Sequence, residues 1–138
     1  MITDSLAAHI ELHAHAPPAG KVVFENVGAT GIGVWRKGNS WGDEALSFEL
    51  KSADGIERIA RKPQIYTVNR PAAQMLPAGS RYAVPFDLGD GSWQVDTSVR
   101  RTDGAELVAL YDVPESADAL AQHAWVGHLR SAPVRLGQ

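Results

Sequence analysis

Histidine is the residue type in this chain with the most to offer a metal ion or a proton. His13 and His15 stand two apart, so on an extended backbone both side chains leave the same side, which His9 and Glu11 share. Two imidazoles at that spacing hold zinc or copper when a neighbouring strand supplies a third ligand. His128 is the candidate third ligand if the first and last strands pair. The competing reading needs no metal: Ile10, Leu12 and Ala14 form the buried side while the histidines face water. That reading is preferred. No metal site and no cofactor is expected, with His13, His15 and His128 as the positions to check.

Paired carboxylates offer less. Asp87 and Asp90 flank a turn in Asp-Leu-Gly-Asp-Gly, and Asp43-Glu44 follow Trp41-Gly42. Calcium asks for about six to eight oxygens at defined spacing, which neither cluster supplies. Glycosidase chemistry needs two carboxyls a set distance apart in a cleft, and Asp in an Asp-Gly turn already has a structural use. Gly38-Asn39-Ser40-Trp41-Gly42 has Gly, Ser and Gly at the offsets of a nucleophile elbow. An elbow follows a parallel strand and opens a helix, whereas Asp43 to Phe48 reads as the approach to an alternating strand. Gly28 to Gly33 lacks dinucleotide-loop spacing and reads as a turn. The chain is expected not to be an enzyme.

Aromatic residues make the better binding candidates. Trp41 lies in the loop Gly38 to Glu44 with Asn39 and Asp43 beside it, and rings on loops stack on sugars or anchor protein partners. Trp35, Trp93 and Trp125 alternate with apolar neighbours and are expected in the core. Arg58, Arg61 and Lys62, with Arg70 close by, form a small basic cluster best read as a solvated strand edge.

The balance of composition limits the partners. The 138 residues are 44% hydrophobic and 21% charged, with 13 Lys and Arg against 16 Asp and Glu. Divided after Asn69, the halves carry −1 and −2, so neither is a basic arm and nucleic acid is not an expected partner. Zero cysteines remove disulfides, thiol nucleophiles and Cys-based zinc together. No run approaches the ~18 apolar residues of a spanning helix, and Asp4, His9 and Glu11 interrupt any signal-like stretch. The expectation is one cytoplasmic domain over residues 1–138 that does not enter a membrane; a longer exported product is the alternative.

The elements that must position these residues are strands. Period-two alternation recurs at Ile10 to Ala14, Val22 to Asn26, Ile32 to Lys37, Leu46 to Leu50, Ile56 to Arg61, Arg81 to Leu88 and Trp93 to Val99. Pro17-Pro18-Ala19-Gly20 breaks the first, and Asp54-Gly55, Asp90-Gly91 and Asp103-Gly104 mark hairpin turns. Pro85 places its strand at an edge or bulge. Ala105 to Val113 is apolar on both faces, as a central strand is. Trp125 to Leu136 is interrupted at Ser131-Ala132-Pro133. Lys62 to Gly79 holds three prolines and reads as an irregular crossing. The one helix signal is Pro114 to His123, with Ser116 as N-cap. About eight or nine short strands with frequent turns indicate an all-β, two-sheet antiparallel sandwich.

The C-terminal third adds a resemblance. Leu107 to Tyr111, a loop, and then Trp125-Val126-Gly127 through Ser131-Ala132-Pro133-Val134 resemble the last two strands of bacterial immunoglobulin-like or fibronectin-III-like β-sandwich modules. Val23 to Gly28, ending in Asn-x-Gly, and Leu76-Pro77-Ala78-Gly79 before the Tyr82 strand are similar too. The likeness spans Lys21 to Leu136 and implies an immunoglobulin-like fold without an activity. The expected function is a non-catalytic protein-interaction module that uses the loops at Gly28–Gly31, Gly38–Glu44 and Pro114–Ala124, or an edge that pairs two copies into a homodimer. The alternatives are a carbohydrate-binding sandwich with Trp41 as platform, or a protease inhibitor acting through its loops.

Overall fold

A computed structural model describes residues 5–53, 55–66, 68–94 and 104–137. Asp54, Asp103 and the strand positions Val95, Thr97 and Val99 lie outside the described residues. Two-residue alternation becomes strands β1 (Leu6–His15), β2 (Pro18–Asn26), β3 (Ile32–Trp35), β4 (Leu46–Ser52), β5 (Gly55–Arg61), β6 (Ala73–Leu76), β7 (Arg81–Asp87), β8 (Trp93–Gln94), β9 (Glu106–Val113), β10 (Gly127–Arg130) and β11 (Val134–Arg135). Two short helices interrupt them, α1 (Ser40–Ala45) and α2 (Ala117–Ala121).

The strands make two main antiparallel sheets, ordered β1-β2-β7 and β10-β9-β4-β5-β8, with β11 also paired to β9 and a separate β3-β6 ribbon. Their apolar sides meet. Phe24 of β2 lies 4.8 Å from Tyr111 of β9, and Phe48 of β4 lies 4.7 Å from Phe86 of β7, ring centre to ring centre. Tilted aromatic pairs at these distances add to the burial of apolar area that holds such layers together. One apolar core runs from Leu6 to Leu136.

Several expectations hold in detail. Val84 and Phe86 of β7 are buried while Ala83 and Pro85 are exposed, and β7 is an edge, where a missing N–H costs no ladder bond. β9 is central and buried over five successive residues, Leu107 to Tyr111. The Ser131-Ala132-Pro133 break separates β10 from β11, which both pair with β9. Ser131 fills the gap: its N–H donates to Ala109 O at 2.9 Å and its Oγ accepts from Ala109 N at 2.9 Å. α2 starts where Ser116 caps it, Oγ accepting from Ala119 N at 3.0 Å.

Other expectations are corrected. β2 begins at Pro18, so the Pro-Pro stretch is a tight turn containing the cis Ala16-Pro17 bond, and Pro18 pairs with His15. β3 stops at Trp35, two residues short of Lys37. Gly55 is the first residue of β5, paired with Ser52, and not the second turn residue. The Lys62 to Gly79 crossing contains β6, which pairs with β3 from Ile32↔Leu76 to Trp35↔Ala73. β5 lies between β4 and β8, so the basic cluster does not guard an edge; Arg58 donates to Ser47 Oγ, and Arg61 lies over the Trp93 ring at 4.7 Å.

Helix α1 has no counterpart among the sequence expectations. Asn39 caps it, with Oδ1 accepting from Gly42 N at 3.0 Å. Gly42 sits mid-helix, which costs about 1 kcal/mol against Ala, but any Cβ there would collide with the Arg36 carbonyl. Close approach of the incoming chain therefore demands glycine.

Candidate functional site

The histidines are dispersed. A register shift between Leu12 and Ala14 makes His13 the extra residue of a bulge in β1, and it is exposed, as Glu11 and His15 are. His9 Nε2 meets Glu11 Oε2 at 2.8 Å, and Lys21 of β2 approaches Glu11 at 3.5 Å. The His9 hydrogen bond, helped by Lys21, holds the Glu11 carboxyl below its usual range. His128 sits in the other sheet, its Nδ1 2.9 Å from Asp112 Oδ1 on β9. β1 pairs with β2 and β10 with β9, so the strand pairing that would bring His128 to His13 and His15 is not formed. Among the described residues no three His, Asp or Glu side chains gather as a metal-binding group.

The Gly38 to Glu44 loop is tightly built. Asn39 and Asp43, expected beside Trp41 at a contact surface, are only 7% and 6% exposed. Asn39 is occupied as the cap of α1. Asp43 Oδ1 accepts from Gly38 N at 3.0 Å, and its Oδ2 accepts from the Tyr66 hydroxyl at 2.9 Å. Ser40, the elbow position, is held through Asn69, which accepts from Ser40 N and donates to Ser40 Oγ, both at 2.9 Å. The strand before it pairs antiparallel with β6, so the short helix after Ser40 does not make the motif an elbow. Tyr66 and Asn69 are not singled out by the sequence, because nothing local marks residues 23 and 29 positions away as partners of this loop.

Burial, followed by the Asp43 carboxylate, pushes the Tyr66 phenol up to about 12. A phenol raised in the folded state contributes stability that is whole below its ordinary value near ~10 and lost as pH climbs through the raised one. Urea unfolding should therefore show wild-type stability falling between pH ~10 and ~12, and Tyr66→Phe should flatten part of that fall. Equal slopes for both proteins would show that the Asp43–Tyr66 bond contributes nothing.

Trp41 is the one member of the expected set that keeps a free face. It is half-buried, with its ring centre 6.2 Å from that of buried Trp35. It lines a hollow of about 280 Å³ with Glu44, Asp112, Pro114 and Ser116. Ser116 also lines a larger groove of about 730 Å³ along α2, with Glu115, Leu120, His123 and Val126. The two hollows thus adjoin at one end of the molecule, between the β3–β4 and β9–β10 connections. The walls are fixed by β3, whose Gly33 N donates to His123 O at 2.9 Å while Trp125 N donates to Gly33 O at 2.8 Å. Leu120, 81% exposed, stands on the α2 side. Gly28–Gly31, the third expected loop, lines neither hollow; Asn26 holds it through Thr30 O and Gly28 N. No helix among the described residues is long and apolar enough to cross a membrane. Comparison of the chain with protein-family models, with curated proteins and with solved structures finds no match.

Proposed function

We propose that this chain is a non-catalytic protein-interaction module of immunoglobulin-like architecture, and that it binds through the groove between α1 and α2. The observation that carries the reading is the joined pair of hollows: a half-buried Trp41 at one end, a protruding Leu120 at the other, and Ser116 common to both. Large apolar side chains left in water beside a concavity are what a protein partner covers. The strand order β1-β2-β7 against β10-β9-β4-β5 supports the architectural part, because immunoglobulin-type sandwiches order their strands in a similar way and cluster their loops at the two ends. Both walls are hydrogen-bonded to the scaffold, so association orders little chain. The carbohydrate alternative asks Asn39 and Asp43 to bond sugar hydroxyls, and both already serve the loop itself.

The test is selection of random dodecapeptides displayed on phage, with recovered peptides synthesised and titrated against wild type, Trp41→Ala and Leu120→Asp. Each variant should lose about tenfold or more in affinity. Leu120→Asp, at an exposed site, should keep its stability within about 0.5 kcal/mol. Peptides that bind both variants as tightly as wild type, or a selection that returns none above background, would overturn the proposal.

A further inference from the structure

We infer that the occupant of this groove is a cationic apolar segment, with Lys or Arg interspersed among aliphatic or aromatic side chains; the inference rests on the reading of the groove as the binding surface. The linings of the two hollows hold three carboxylates, Glu44, Asp112 and Glu115, one histidine, and no Lys or Arg. Asp112 is already met by Arg58 and His128. Glu44 and Glu115 have no cation within 4.0 Å among the described residues. Glu11, Glu25 and Glu49, by comparison, each face a cation of the folded chain, while Glu106, outside the groove, shares the lack of one.

Three kinds of ligand can be weighed against that lining. An acidic segment would set like charges together with no counter-charge. A neutral apolar one would strip water from Glu44 and Glu115 and give nothing in return, which is costly for a carboxylate. A cationic apolar segment covers Leu120 and Val126 with its apolar residues and answers the two carboxylates with its charges. A guanidinium can in addition lie on the free face of Trp41. The occupant is therefore defined by the charges the groove lacks.

Three synthetic dodecapeptides on one alternating leucine framework test this, with Arg, Ser or Glu at the intervening positions. Binding is read by tryptophan fluorescence at ~0.05 M and ~0.5 M NaCl. The Arg peptide should bind about tenfold or more tighter than the Ser peptide at low salt, lose most of that advantage at high salt, and leave the Glu peptide without measurable binding. Glu44→Lys/Glu115→Lys should abolish the preference for Arg and transfer it to Glu, with an unchanged melting curve. If the Arg and Ser peptides bind equally and both are lost in Leu120→Asp, the charge inference falls while the groove reading stands. An Arg preference that survives the double charge reversal places the cation elsewhere and overturns the inference. Absence of binding by all three peptides overturns it as well, and the phage selection then judges the groove separately.

Discussion

Phe48→Ala should lower the free energy of unfolding by about 4 kcal/mol. Phe48 is fully buried on β4 and touches both layers, 4.7 Å from Phe86 across the core and 5.3 Å from Trp93 in its own sheet. Removing the ring leaves a void lined by two aromatic residues that strands on either side hold in place, so little collapse can fill it. The total stability of a domain this size is roughly 5–15 kcal/mol, so the variant sits near the threshold of folding. Phe48→Leu keeps most of the volume and should cost only about 1.5 kcal/mol. Urea denaturation of the two variants checks the order; equal losses would mean that the aromatic contacts between the two sheets carry no weight.

Asn26→Ala is the second large effect, and its cause is polar. Asn26 is wholly buried, and its amide donates to Thr30 O and Leu76 O, each at 2.8 Å, while Oδ1 accepts from Gly28 N at 2.9 Å. Its backbone joins the same knot through Ser80 O and Gly79 N. One side chain thus ties the end of β2 to the end of β6 and the turn before β7. Truncation leaves a donor and two carbonyls short of partners, for an expected loss of about 3 kcal/mol and a fall of roughly 10 °C in Tm. Asn26→Asp keeps the shape but sets a carboxylate against two carbonyl oxygens, which raises its folded-state pKa. The sign follows: the variant's deficit should be smallest in acid and should grow as pH rises through that pKa. A deficit independent of pH between ~4 and ~7 would contradict the bonding pattern.

What was legible in the sequence was whatever depends on near neighbours along the chain. Leu46, Phe48 and Leu50, and Val84 and Phe86, declare their buried faces by alternation, because a pleated strand has no other way to segregate side chains. Ser116 before Ala117 to Ala121 announces α2, and Pro133 announces the gap between β10 and β11. Features that rest on distant partners were not legible. Helix α1 carries a cap at Asn39, but Gly42 within it argues against a helix until the Arg36 carbonyl is seen in its place. β6 is four residues without alternation between Pro71 and Pro77, and only β3 makes it a strand. The site followed the same division: Trp41 was visible as a residue type, whereas Asp43 is held by a tyrosine 23 residues downstream of it.

The central place of β9 also bears on how the protein is made. The β1-β2 and β4-β5 hairpins lie close along the chain and can close while synthesis continues, whereas β4 must wait more than fifty residues for its second partner. Until Glu106–Val113 leaves the ribosome, one flank of β4 has open amides and carbonyls, and Phe48 and Leu50 sit on a half-built layer. Such late, long-distance joining slows folding and leaves a nascent chain prone to stick to its neighbours. A chaperone that shields one exposed strand during translation would accordingly raise the yield of this protein.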